Sequence, residues 1–215
     1  MARILCLHGM GGTGATMAPI ADALRSAGHA VDAPTLPGHG TTPEDLVGLV
    51  WADWLHAALT AMAAPVDLVV GQSMGAALAL DMATRGTVRG VVAINPLGPD
   101  PDAIDGLEWR IERGTEWVEV PPSTVGEVAY DRIPAVALLA MATGVLAIDL
   151  AAVTCPVLVV TSINDDVVDP DHSVVVAGSV SGPVERLRLE HSGHVVSLDV
   201  ERDRVIAAAL TFLGS

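Results

Sequence analysis

The chain has 215 residues, 51% of them hydrophobic, a mean hydropathy of +0.49 and a formal net charge of −15. That length fits one compact domain and that apolar content excludes disorder, while the negative charge argues against nucleic acid and anionic membrane surfaces as partners. Aromatic residues make up only 3%, so the core has to be built from Ala, Val, Leu and Ile.

Strand-like and helix-like segments alternate along the chain. Residues 3–8 form a short apolar strand entered directly from Met1-Ala2, with no leader expected. Gly9-Met10-Gly11-Gly12-Thr13-Gly14 reads as a glycine-rich loop and residues 17–27 as a helix. A second strand is expected over 29–35, a loop at Leu36-Pro37-Gly38-His39-Gly40, and a helix over 43–63, where Leu46, Val50, Trp54 and Leu55 recur at helical spacing. Residues 66–70 form the third strand. The turn Gly71-Gln72-Ser73-Met74-Gly75 and a helix over 74–84 follow. Later strands are expected at 88–94, 156–162 and 184–189, with helices at 171–179 and 201–213. This alternation implies a mostly parallel sheet of about six strands with helices on both faces.

The rhythm breaks between residues 97 and 153. Pro99, Pro101, Pro121 and Pro122 punctuate that stretch, and an apolar helix closes it. It reads as a small cap inserted into a core made of residues 1–96 and 154–215. The apolar run at 134–148 is too short for a membrane span, so no stable membrane insertion is expected. Cys6 and Cys155 are far apart and belong to no CxxC, which implies free thiols, no metal framework and a cytoplasmic location.

The serine turn carries the chemistry. A serine between strand and helix, flanked at both sides by glycine, is held out at the carboxyl end of a sheet. A hydroxyl needs a base in reach, and the base needs a carboxylate to orient it. His194 follows the last strand and Asp165 the fifth, so both lie on the sheet edge that carries Ser73. Asp166 and His191 are the competing neighbours. The backbone N–H groups of Met10 and Met74 are the expected oxyanion donors. The loop after the first strand lacks a P-loop lysine and a ribose-binding acidic residue, which disfavours nucleotide binding.

These motifs resemble the α/β-hydrolase family, in the branch of small bacterial carboxylesterases and monoacylglycerol lipases. The likeness runs through His8-Gly9, Leu36-Pro37-Gly38-His39-Gly40, Asp53-Trp54, Gly71-Gln72-Ser73-Met74-Gly75, Ala129-Tyr130-Asp131-Arg132-Ile133-Pro134, Asp165-Asp166-Val167-Val168 and Ser192-Gly193-His194-Val195. The resemblance implies the α/β-hydrolase fold and a serine carboxylesterase acting on neutral esters, monoacylglycerols among them. It implies Ser73 as nucleophile, His194 as base and then acid, Asp165 as its partner, and Met10 and Met74 as the oxyanion hole. The family often has an aromatic residue where Met10 stands, so a pocket walled by Met and aliphatic side chains is expected. Glu127 is a candidate contact for the alcohol group, with a solvated charge as the alternative. No metal and no cofactor are called for, and the oligomeric state is left open. Thioester hydrolysis or acyl transfer through the same three side chains is the rival activity. A silent ligand-binding protein on the same scaffold is a remoter one.

Overall fold

The computed structural model describes residues 1–62 and 65–214. Six strands form one parallel sheet in the order β2-β1-β3-β4-β7-β8: β1 (Arg3–Leu7), β2 (Ala30–Asp32), β3 (Leu68–Gln72), β4 (Val91–Ile94), β7 (Val157–Ser162) and β8 (Val184–Leu189). Helices α1 (Ala18–Ser26) and α7 (Arg202–Leu213) contribute to one face, α2 (Trp51–Ala61), α3 (Met74–Thr84) and α6 (Asp171–Ser179) to the other.

Period-two alternation splits the core cleanly. Leu5, Leu7, Val69, Val91, Ala93, Val157 and Val159 face α2 and α3. Ile4, Cys6, Leu68, Val70, Val92, Leu158 and Val160 face α1 and α7. All of these are buried, as expected of strands covered on both sides. Cys6 is buried and Cys155 half-buried, both as free thiols.

The chain leaves β1 toward β2 and then returns to the far side of β1 as β3. The crevice beyond the carboxyl ends of β1 and β3 is therefore where the winding reverses, the place such sheets offer to ligands. The loops from Gly9 and from Ser73 both open there.

The expected helix over 43–63 is divided. A 3₁₀ turn at Pro43–Leu46 is followed by Gly48 at φ +86°, and α2 begins only at Trp51, with the Asp53 carboxylate accepting the Val50 N–H at 2.9 Å. The last expected residue of that helix, Ala63, lies outside the described residues.

Between β4 and β7 the chain forms α4 (Pro101–Glu112), an antiparallel pair of β5 (Trp117–Glu119) with β6 (Arg132–Pro134), and α5 (Ala135–Leu146). The apolar helix expected at the end of this stretch is α5, whereas α4 is an addition to the expected elements. The missed signal is Asp100-Pro101, an N-cap followed by proline at the first helical position, and the Asp100 carboxylate does accept the Ala103 N–H at 3.1 Å. Among the described residues no helix is long and apolar enough to cross a membrane.

Candidate active site

Ser73 stands at φ 57°, ψ −120°, a conformation that ordinary residues avoid. Its N–H is anchored to the Ile94 carbonyl at 2.9 Å, and β3 feeds straight into α3 behind it. The flanking glycines are required by contact. A Cβ on Gly71 would lie 2.2 Å from the Gly75 carbonyl oxygen, and one on Gly75 would lie 2.2 Å from that of Leu7. The helix start thus rests directly on the end of β1. Met74 is the first residue of α3, so its N–H has no acceptor within the helix.

Across the crevice, the Gly9-Met10 loop is fixed by His8. Its Nδ1–H donates to the Gly9 carbonyl at 2.8 Å, and its Nε2 accepts the Leu36 N–H at 3.0 Å. Those two partners set the tautomer. Burial, reinforced by nearby His39, pushes the His8 pKa down to about 4, so the ring stays neutral and acts on backbone alone. The Met10 N–H makes no hydrogen bond to another described residue. Gly9 lies against Ser73, where an added Cβ would come within 3.2 Å of the serine Cβ.

Asp165 and His194 meet. Their Oδ2 and Nδ1 atoms are 2.7 Å apart, and the other carboxylate oxygen accepts the N–H groups of Val167 and Val168, each at 2.9 Å. With the imidazole donating through Nδ1, its Nε2 is left as the basic atom. The side chain of Asp165 is 1% exposed, whereas Asp166 is exposed and makes no comparable bond. His191 is exposed, and its ring makes no hydrogen bond to Asp165. The Ser73 hydroxyl takes no hydrogen-bond partner among the described residues.

The loop carrying His194 is clamped through its N–H groups. The buried Glu201 carboxylate accepts from the backbones of Glu190, His191 and Ser192 and from the Ser192 hydroxyl, at 2.8 to 3.3 Å. Asp199 takes the Gly193 N–H at 2.8 Å, and Arg204 bonds the outer side of Glu201. Burial opposes the Glu201 charge, but the N–H groups of His191 and Glu190, together with Arg204 and Ser192, outweigh it and bring the pKa down to about 2. Nothing in the local sequence marked Glu201 for this task, because its partners lie nine to eleven residues back.

The segment between β4 and β7 reaches the same region. The Tyr130 N–H donates to the Gly11 carbonyl at 3.0 Å; its hydroxyl donates to the Gly38 carbonyl at 2.9 Å and accepts the Thr41 N–H at 3.1 Å. Its ring stacks on buried His39, which itself packs edge-on against His8. Glu127 sits over Gly12 and accepts the Thr16 hydroxyl at 2.9 Å. Burial raises the Glu127 pKa, partly offset by the Thr16 bond and the nearby His194.

A largely apolar cleft of about 340 Å³ opens between α4, α5 and the turn after Asp165, walled by Leu97, Leu107, Leu138, Met141, Val145 and Val168 and also lined by Asp100, Asp169 and His172. A second hollow of about 470 Å³ lies at the opposite, amino end of the strands, beside His29, Asp67 and Phe212, remote from all these groups. No group of three or more metal-ligating side chains occurs among the described residues.

The profile of the "Alpha/beta hydrolase family" matches residues 4–209. The chain is 30% identical to the thermostable monoacylglycerol lipase of Bacillus sp. (strain H-257), over 98% of this chain and 90% of that protein. It is 23% identical to the carboxylesterase of Bacillus subtilis (strain 168), over 98% and 91%. Among solved structures, one from work on LipS and LipT, two metagenome-derived lipolytic enzymes, superposes with a TM-score of 0.90 at 27% identity, covering 99% of this chain and 94% of the other.

Proposed function

Since the chain belongs to the alpha/beta hydrolase family, we propose that it is a serine carboxylesterase for neutral carboxylic esters, monoacylglycerols among them. The observation that carries this reading is the 2.7 Å bond between His194 and a dehydrated Asp165, set on the same sheet edge as a serine in a strained turn. The names of the lipolytic and esterase relatives support it.

In this mechanism Ser73 Oγ attacks the ester carbonyl while His194 Nε2 takes its proton. Asp165 holds the productive tautomer and stabilises the imidazolium. The amide N–H groups of Met10 and Met74 receive the oxyanion; a single donor of this kind contributes about 3 kcal/mol to the transition state. His194 then hands its proton to the leaving alcohol, and water activated by the same ring hydrolyses the acyl-enzyme. The open Ser73–His194 contact closes when substrate fills the site, as is common for such bonds in ligand-free enzymes.

Residues 97–153 act as a cap, joined to the oxyanion side through Tyr130 and Glu127. Glu127 is placed to accept a hydroxyl from a polar alcohol such as glycerol. The cleft lined by Leu97, Leu138, Met141 and Val168 takes the acyl chain, and its flexible, aliphatic walls suit varied medium-length chains.

Ser73→Ala protein with an unaltered circular dichroism spectrum should lose p-nitrophenyl ester turnover by several orders of magnitude and fail to react with a fluorophosphonate probe. Full turnover in that variant would refute the assignment. Parallel assays with acyl thioesters, and with alcohol acceptors present, separate ester hydrolysis from thioesterase and transferase activity.

A further inference from the structure

Only two residues other than glycine adopt positive φ among the described residues: Ser73, and Asn95 at φ 44°. Such strain persists where surrounding contacts impose it, and it concentrates at functional sites. Asn95 directly follows β4, the strand next to the one that presents Ser73, and it is 2% exposed. Asparagine tolerates this backbone region better than most residues, but tolerance alone does not explain why the chain uses it here.

The side chain supplies the reason. Asn95 Oδ1 accepts the Ser162 N–H at 2.8 Å. Its Nδ2 donates to the His194 carbonyl at 3.0 Å and lies 3.1 Å from the Ser162 hydroxyl oxygen and 3.4 Å from the Gly193 carbonyl. The partners fix the orientation of the amide, since a backbone N–H can only donate and a backbone carbonyl can only accept. Ser162 is the last residue of β7, and its carbonyl receives the Asp165 N–H at 3.4 Å. One buried amide therefore spans from the strand end that carries Asp165 to the backbone of His194 itself. Glu201 and Asp199 hold the N–H groups of the histidine loop from one side, and Asn95 holds its carbonyls from the other.

We propose that Asn95 is a positioning residue for the reaction: its amide locks the His194 backbone to the Asp165 strand end and so sets the imidazole in register with the carboxylate and with Ser73. This rests on the triad reading given above. No other side chain of that size meets the same demand. An ionised aspartate would turn an acceptor toward two carbonyl oxygens, and leucine would leave the Ser162 N–H and the Gly193 carbonyl unpaired in a dry site, with the His194 carbonyl held by the Val196 N–H alone. Asn95 touches no substrate in this account; it acts through the placement of His194.

The test uses Asn95→Asp, which keeps shape and tolerance of positive φ, and Asn95→Gly, which removes the amide while relieving the strained backbone. Ester turnover is measured below the melting temperature of each variant. The proton NMR spectrum is recorded for the far-downfield Nδ1 proton of His194 bound to Asp165. In both variants kcat should fall roughly 10²-fold, the scale of a misplacement near 1 Å, with KM held within about twofold. The Nδ1 proton signal should broaden or move upfield. A loss of fold stability alone would leave that resonance and the kcat of the folded fraction unchanged. If Asn95→Asp does not fold, Asn95→Gly decides. Wild-type kcat and a wild-type resonance in either folded variant overturn the proposal. A Ser73→Ala protein that still hydrolysed esters would remove the triad reading and this inference together. An inactive Ser73→Ala protein beside unaffected Asn95 variants would remove this inference alone.

Discussion

Gly75→Ala sets two effects of known size against each other. Alanine is the better helix former, by about 1 kcal/mol, and position 75 lies in the first turn of α3, so propensity favours the change. Contact opposes it. The new Cβ would sit 2.2 Å from the Leu7 oxygen, 2.6 Å from the Leu7 carbonyl carbon and 2.7 Å from the His8 oxygen, all backbone atoms at the carboxyl end of a central strand. Ordinary contact begins at 3.4 Å, so α3 must retreat from β1 by about 1.2 Å. Overpacking of this kind costs about 3 kcal/mol when no side chain can swing aside, which leaves a net loss of about 2 kcal/mol. For a chain of this size that lowers the melting temperature by about 4–8 °C. The retreat also separates the Met74 N–H from the Met10 N–H, because one rides on α3 and the other on the loop after β1. A misplacement near 1 Å reduces kcat roughly 10²-fold. Calorimetry and p-nitrophenyl ester kinetics on the purified variant check both. A melting temperature equal to or above wild type, with kcat unchanged, would refute the claim that direct helix-on-strand contact builds the serine turn.

Further outcomes follow from the same structure. Asp165→Asn removes the acceptor that selects the Nδ1–H tautomer and should lower kcat by about 10⁴-fold, whereas Asp166→Asn should stay within about twofold; equal losses would mean that the wrong carboxylate has been assigned. Glu201 has its folded pKa lowered to about 2 from an ordinary 4.5, so its contribution to stability is complete above pH 4.5 and disappears as the pH falls toward 2. The melting temperature of Glu201→Gln should therefore lie below wild type at pH 7, with the gap closing between pH 4.5 and 2; a gap independent of pH contradicts the clamp. Ala142→Phe projects into the cleft between α4 and α5 and should shorten the preferred acyl chain, each excluded methylene costing about 0.8 kcal/mol, or about fourfold in kcat/KM, while acetate esters are spared. A chain-length series with an unmoved optimum would place the acyl chain elsewhere. Gly144→Ala would drive a Cβ to 2.1 Å from the Trp51 ring and should lower the melting temperature by about 2–8 °C through strain between α5 and α2; no change would show that the tryptophan swings away freely.

The features legible from residue order alone are local ones. Alternating apolar runs define the parallel strands, because residues buried on both faces must be apolar at every position. The Gly-x-Ser-x-Gly turn announces itself because its steric demand falls on residues two apart. Ser73, Asp165 and His194 were legible as candidates because each follows a strand, and parallel strands deliver their carboxyl ends to one edge. Everything that depends on partners distant in the chain emerges only on folding. Gly48 at positive φ divides what periodicity presents as one long helix, and Asp100-Pro101 starts a helix that the surrounding prolines concealed. Asp165 rather than Asp166 meets His194 because the turn after β7 wraps the N–H groups of Val167 and Val168 around the first carboxylate alone. Asn95 is an ordinary asparagine beside a proline until folding brings Ser162 and His194 to its amide from 67 and 99 residues away. Periodicity and turn sterics act over a few residues and leave a mark in the sequence. A buried hydrogen bond between remote segments leaves none until the chain has closed around it.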